Sequence, residues 1–140
     1  MKLSKNNVGR TKSSGFQIGV RKTLAISSEK AWELLFSPQG LEIWLGINDS
    51  RQFLSKKDIV SKNKTKILLT TLREGSHVRM KWKPDIWENT SILQVRIIPN
   101  NHKTIISFHQ EKLLDSDQRA EMAQIWKKKL QNLILFMETK

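Results

Sequence analysis

The chain contains no cysteine, which excludes disulfides, thiolate metal centres and a cysteine nucleophile. Acidic residues are scarce, thirteen Asp+Glu against twenty-five Lys+Arg. They fall in predicted caps, turns and exposed helix positions, so no shielded carboxylate pair suits general acid–base chemistry. Glycine occurs six times, in neither a phosphate-cradling loop nor a G-x-S-x-G elbow. The histidines His77, His102 and His109 lack the i, i+4 pairing of a helical metal site. No apolar run approaches the roughly 20 residues that a membrane-spanning helix needs. The sequence therefore nominates no catalytic residue, no metal ligand and no cofactor.

What remains is a basic chain of 140 residues with a net charge of +12, the size of one domain. Its cations are unevenly spread. Lys2, Lys5, Arg10, Lys12, Arg21 and Lys22 precede the first acid, Glu29, and between Arg51 and Lys83 ten basic residues meet only Asp58 and Glu74. Residues 1–14 are polar with little to bury, which predicts a mobile basic tail before a domain spanning 15–140. That opening has no apolar segment behind it, unlike a secretory leader. Together with the absent cysteines, this makes a cytoplasmic location the expectation.

From Gly15 the run GFQIGVRKTLAI alternates with period two, with one lapse at Lys22, and predicts a strand. Ser27 or Ser28 caps a helix carrying Ala31, Trp32, Leu35 and Phe36 on one side. Pro38 stops it. A second short helix follows with Leu41, Trp44 and Leu45 inward and Gly46 at its end. Residues 47–66 are lysine-rich and predict only weak strands or loops. KILLTTLREG and SHVRMKWK read as a hairpin, Val78, Met80 and Trp82 alternating with Arg79, Lys81 and Lys83. SILQVRIIP and TIISFHQEKL continue the sheet. Asp115 or Ser116 then caps a long helix with Met122, Trp126, Leu130, Leu133 and Met137 as its stripe. One strand, two short helices, a run of antiparallel strands and a final helix describe an α+β protein.

These residues resemble a known family. SSEKAWELLFSPQGLEIWLG is similar to the opening of START-like (SRPBCC) proteins. SHVRMKWKPDIWENTSILQVRIIP, TIISFHQEKL and AEMAQIWKKKLQNLILFME resemble small bacterial proteins akin to the C-terminal domain of heat-shock-chaperone ATPase activators. The resemblance implies a helix-grip fold, a curved antiparallel sheet wrapped around the last helix with an apolar cavity between them. It also implies either a hydrophobic small-molecule ligand or a protein partner such as a chaperone.

Two surfaces follow. The first is a ligand wall of Trp32, Trp44, Met80, Trp82, Val95, Phe108, Trp126 and Leu130, with Trp87 and Gln110 near the mouth to orient a hydrophobic or amphipathic molecule. As core anchors those tryptophans need no ligand at all. The second is a basic face of Arg79, Lys81, Lys83 and Arg96, suited to an acidic protein partner. Nucleic acid is disfavoured, because Trp82 and Phe108 point away from those cations and single-strand binders place rings and cations together. Ser107, His109 and Glu111 share one strand face, yet neighbours two apart stand roughly 6.6–6.8 Å from each other, too far for a Ser–His hydrogen bond.

Overall fold

The computed structural model describes Arg10–Thr11 and residues 15–140. Residues 1–9 and 12–14 of the predicted tail lie outside the described residues. Within them the chain runs β1 (Arg10–Thr11), β2 (Gly15–Leu24), α1 (Ser28–Leu35), α2 (Pro38–Leu45) and α3 (Ser50–Leu54). It continues as β3 (Ile59–Val60), β4 (Thr65–Arg73), β5 (His77–Pro84), β6 (Ser91–Asn100), β7 (Lys103–Leu113) and α4 (Ser116–Glu138).

The strands form one antiparallel sheet of order β1-β2-β7-β6-β5-β4-β3. β3 to β7 make a meander of hairpins, and β7 returns to pair with β2. In the β4–β5 turn the Ser76 amide donates to the Arg73 carbonyl at 2.9 Å. Gly75 sits there at φ +80°, a left-handed conformation that glycine adopts without strain. The side-chain alternation fixes the inner face. Val78, Met80, Leu93, Val95, Ile106, Phe108 and Gln110 are all buried, while Arg79, Lys81, Gln94, Arg96, Ser107 and His109 face outward.

Two helices begin where the sequence places their caps: Ser27 accepts from the Lys30 amide for α1 and Asp115 from the Gln118 amide for α4. α2 opens earlier than the sequence predicts, with Ser37 accepting from the Gly40 amide and Pro38 in its first turn, where the missing N–H costs nothing. Gly46 closes α2 in the left-handed conformation at φ +68°. α4 buries Met122, Trp126, Leu130, Leu133 and Met137, the predicted stripe, against the inner face of the sheet. Residues 47–66 hold more order than predicted. The Asp49 carboxylate caps α3 and Phe53 is fully buried, so one aromatic anchors a helical turn in an otherwise polar stretch. Among the described residues no helix is long and apolar enough to cross a membrane.

Candidate functional site

The predicted ligand wall converges in the structure. Trp44, Met80, Trp82, Trp87, Val95, Phe108, Gln110, Trp126 and Leu130 all belong to one buried core, and Trp32 is half-buried at its margin. The rings touch in a continuous series. Trp32 meets Phe36 at 4.7 Å between centroids, Phe36 meets Trp44 at 6.3 Å, and Trp44 meets Phe108 at 5.7 Å. Phe108 then meets Trp126 at 5.2 Å, Trp126 meets Trp82 at 5.5 Å, and Trp82 meets Trp87 at 5.4 Å. Every tryptophan of the chain is therefore linked through phenylalanines from α1 to the β5–β6 turn. Spacings of this order favour tilted and edge-to-face contacts, so these rings fill the middle of the space between sheet and helix.

Gln110 lies deeper than the predicted mouth. It is fully buried and its side chain is committed at both ends. Its carbonyl accepts from the Trp126 indole N–H at 2.7 Å, and its amide donates to Ser91 Oγ at 2.9 Å. Ser91 in turn donates to the Trp82 carbonyl at 2.6 Å. Trp87, expected near the rim, is buried on Trp82.

Open space at the seam of sheet and helix appears instead between β2 and α4. A cleft of about 390 Å³ is lined by Gly19, Val20, Arg21, Lys22, Lys127, Leu130 and Gln131. Val20 and Leu130 supply the apolar floor, while Arg21, Lys22, Lys127 and Gln131 are exposed around it. Val20 and Lys22 stand opposite Phe108 and Ile106, which puts both on the inner face of the sheet. The single lapse in the alternation of β2 is thus a cation turned toward the cleft. β1 pairs only with Gly15 and Phe16 among the described residues, so β2 runs past the cleft as an edge strand. The sequence analysis nominated only Leu130 of these residues. The signal that could have found the rest was the lapse itself, a lysine where an apolar residue belongs.

Lys129 occupies the junction of α2 and α4. Its ammonium donates to the Trp44 carbonyl at 3.3 Å and lies 5.4 Å from the centre of the Trp126 ring. A cation at the last carbonyls of α2 is favoured by the helix dipole. Burial acts the other way and pushes its pKa down.

On the outer face Arg79 pairs with Glu111 at 2.9 Å, and His109 pairs with Gln17 at 3.0 Å. His109 and Glu111 therefore have separate partners, and no hydrogen bond links Ser107, His109 and Glu111 into a relay. Lys66 stands directly across from Lys83, a like-charge pair that costs stability. His77 opens β5, opposite Arg73 on one side and Arg96 on the other. Its pKa is lowered by burial first, then by Arg96, Arg73 and Arg79. His102 lies in the β6–β7 turn. Among the described residues no three His, Asp or Glu side chains gather as a metal site would need.

No family model matches the chain. Eighty-two residues are 32% identical to the transforming growth factor beta-1 proprotein of Cyprinus carpio, covering 59% of this chain but 22% of that protein. The solved structures are more informative. CalU16 from Micromonospora echinospora superposes with a TM-score of 0.73 at 14% identity, over 86% of this chain and 73% of that one. Protein MLL2253 from Mesorhizobium loti gives 0.70 at 16% identity, over 89% and 98%.

The fold is a helix-grip.

A further helix-grip neighbour is the Aha1 dimer from Colwellia psychrerythraea, known from a solution structure, with a TM-score of 0.63 at 17% identity, over 84% of this chain and 92% of that one. In this helix-grip the tryptophan series packs between the sheet and α4, and the cleft lies at the free side of β2.

Proposed function

We propose that this helix-grip protein binds a small amphipathic molecule with an anionic head at the seam between β2 and α4. The cleft carries the reading. Its volume falls within the roughly 300–1,000 Å³ usual for small-molecule sites, and it joins an apolar floor of Val20 and Leu130 to a cationic rim of Arg21, Lys22 and Lys127. An apolar tail against the floor gains about 25 cal/mol per Å² buried, and a phosphate or carboxylate head meets the lysines. Behind Leu130 stand Trp126 and Phe108, so a tail that displaces side chains would reach the ligand wall read from the sequence. No group in the cleft is arranged as nucleophile and base, and the role is binding.

The test is a titration of the isotope-labelled protein with dodecyl phosphate, followed by amide chemical shifts. Saturable shifts centred on Gly19–Lys22 and Lys127–Gln131, weakened about tenfold by Lys22→Glu, support the reading. Absence of saturation, or shifts confined to the Trp82–Trp87 end, would overturn it.

A further inference from the structure

The register of the sheet assembles a row of cations of which only Arg21 also borders the cleft. Arg73 on β4 pairs with His77 on β5, His77 with Arg96 on β6, Arg96 with Ser107 on β7, and Ser107 with Arg21 on β2. All five point to the outer face, since their neighbours Leu72, Val78, Val95, Ile106 and Phe108 point inward. Adjacent strands lie roughly 4.7–4.9 Å apart, so Arg96 stands about 9–10 Å from Arg73 on one side and from Arg21 on the other, along a line across the strands.

No carboxylate lies within ion-pair distance of those three arginines among the described residues. Glu111, the one acid that the register puts on this face, is taken by Arg79. Farther along the same face Lys66, Lys81 and Lys83 border a depression with Asp58 as its one acid, and the opposed Lys66 and Lys83 repel each other. Cations held in this way are stabilised by an arriving anion. Ile98 and Ile105, paired with each other one outward position along β6 and β7, flank the row as a half-buried aliphatic strip.

The kind of anion follows from what the face lacks and from its spacing. Every Phe and Trp ring of the sheet strands is buried on the inner face or at the core margin, so an unpaired base would find no indole or phenyl ring here, only the imidazoles of His77 and His109 and the arginine planes. Carboxylates seven residues apart on an α-helix are separated by roughly 10.5 Å on one side, close to the arginine spacing. We propose that the outer face of the sheet docks an acidic amphipathic helix of a partner protein, with carboxylates two turns apart seated on Arg73, Arg96 and Arg21. Aliphatic residues beside the acids would cover Ile98 and Ile105. This surface is separate from the cleft, sharing only Arg21 at its end.

The experiment compares fluorescence anisotropy of three labelled probes on the full chain at low and physiological salt. One is a helical peptide with Glu at i, i+7 and i+14 and leucines flanking them. The second has the same composition with the acids scrambled, and the third is a thymidine 20-mer. We expect the registered peptide to bind at least fivefold more tightly than the scrambled one. We also expect Arg73→Glu/Arg96→Glu to weaken it at least tenfold while dodecyl phosphate binding is unchanged. If charge reversal lowers the melting temperature, Arg73→Gln/Arg96→Gln replaces it, and Arg73→Lys/Arg96→Lys should restore part of the affinity. Equal binding of the scrambled peptide, equal binding of the oligonucleotide, or indifference to the arginine variants would each overturn the proposal. Loss of dodecyl phosphate binding alone would count against the cleft and leave this surface standing.

Discussion

The indole N–H of Trp126 donates to the Gln110 side-chain carbonyl at 2.7 Å, in a place where neither residue sees solvent. One bond joins the helix to the strand beneath it, and it continues through Ser91 to the Trp82 backbone. A glutamine on the inner face of the sheet is costly unless both ends of its amide are satisfied, and here both are.

Gln110→Leu keeps the volume and removes the polar partner, leaving the Trp126 N–H buried without an acceptor. We expect a loss of about 1–3 kcal/mol in unfolding free energy, measured by urea titration. Trp126→Phe in the Gln110→Leu background should cost less than it does alone, because no donor is then orphaned. Additive losses in that double-mutant cycle would show that the bond contributes little.

Gly40 is fixed by close approach. A Cβ built there would lie 2.0 Å from the Leu34 carbonyl oxygen and 3.1 Å from that of Leu35, both backbone atoms at the end of α1. Gly40→Ala must push α2 away from α1 and disturb the Trp44 indole bond to the Leu35 carbonyl at 2.8 Å. The expected cost is about 2–3 kcal/mol, seen as a fall of several degrees in melting temperature. Gly75→Ala, at the open β4–β5 turn, meets nothing within 4 Å and should be milder, limited to the strain of its positive φ.

Much of this was legible in the residues. The alternation of β5 and β6, the Ser27 and Asp115 caps, Gly46 and the α4 stripe each follow from local periodicity or backbone chemistry, and each sits where those rules put it. The wall residues were recognised as apolar and convergent, but sequence cannot tell rings that line a hollow from rings that fill it. That difference depends on rotamers and on Gln110 bonding Trp126. The β2–α4 cleft was missed because it is made from one strand edge and one helix face far apart in sequence. The α3 turn was missed because a single buried Phe53 outweighed a polar neighbourhood.

Lys129 gives a pH signature on the alkaline side. Burial lowers its pKa in the folded protein below the ordinary 10.5, so between those two values the folded state binds fewer protons than the unfolded one. Stability then rises with pH through that window, and the penalty is fully present below it. Chemical denaturation from pH 7 to 10.5 should show wild type gaining on Lys129→Met as pH increases. Parallel curves would mean that the bond to the Trp44 carbonyl and the Trp126 ring offset the cost of burial.

His77 reports the outer face directly. Burial and then the charges of Arg96, Arg73 and Arg79 hold its pKa below 6.5, so the folded protein resists protonation there more than the unfolded chain does. Its contribution to stability therefore rises with pH up to 6.5 and is lost as pH falls toward the lowered folded value. The imidazole shifts in an NMR titration should place the midpoint below 6.5. Raising ionic strength from 0.05 to 0.5 M shortens the Debye length severalfold and should move the midpoint part of the way back, leaving the share due to burial. Arg96→Ala should do the same at low salt. An acidic helix seated on the row would add negative charge beside the ring and raise the midpoint further, so this histidine also serves as an intrinsic probe of docking. A midpoint that ignores salt, Arg96 and peptide alike would show that the cationic row exerts no field at its centre.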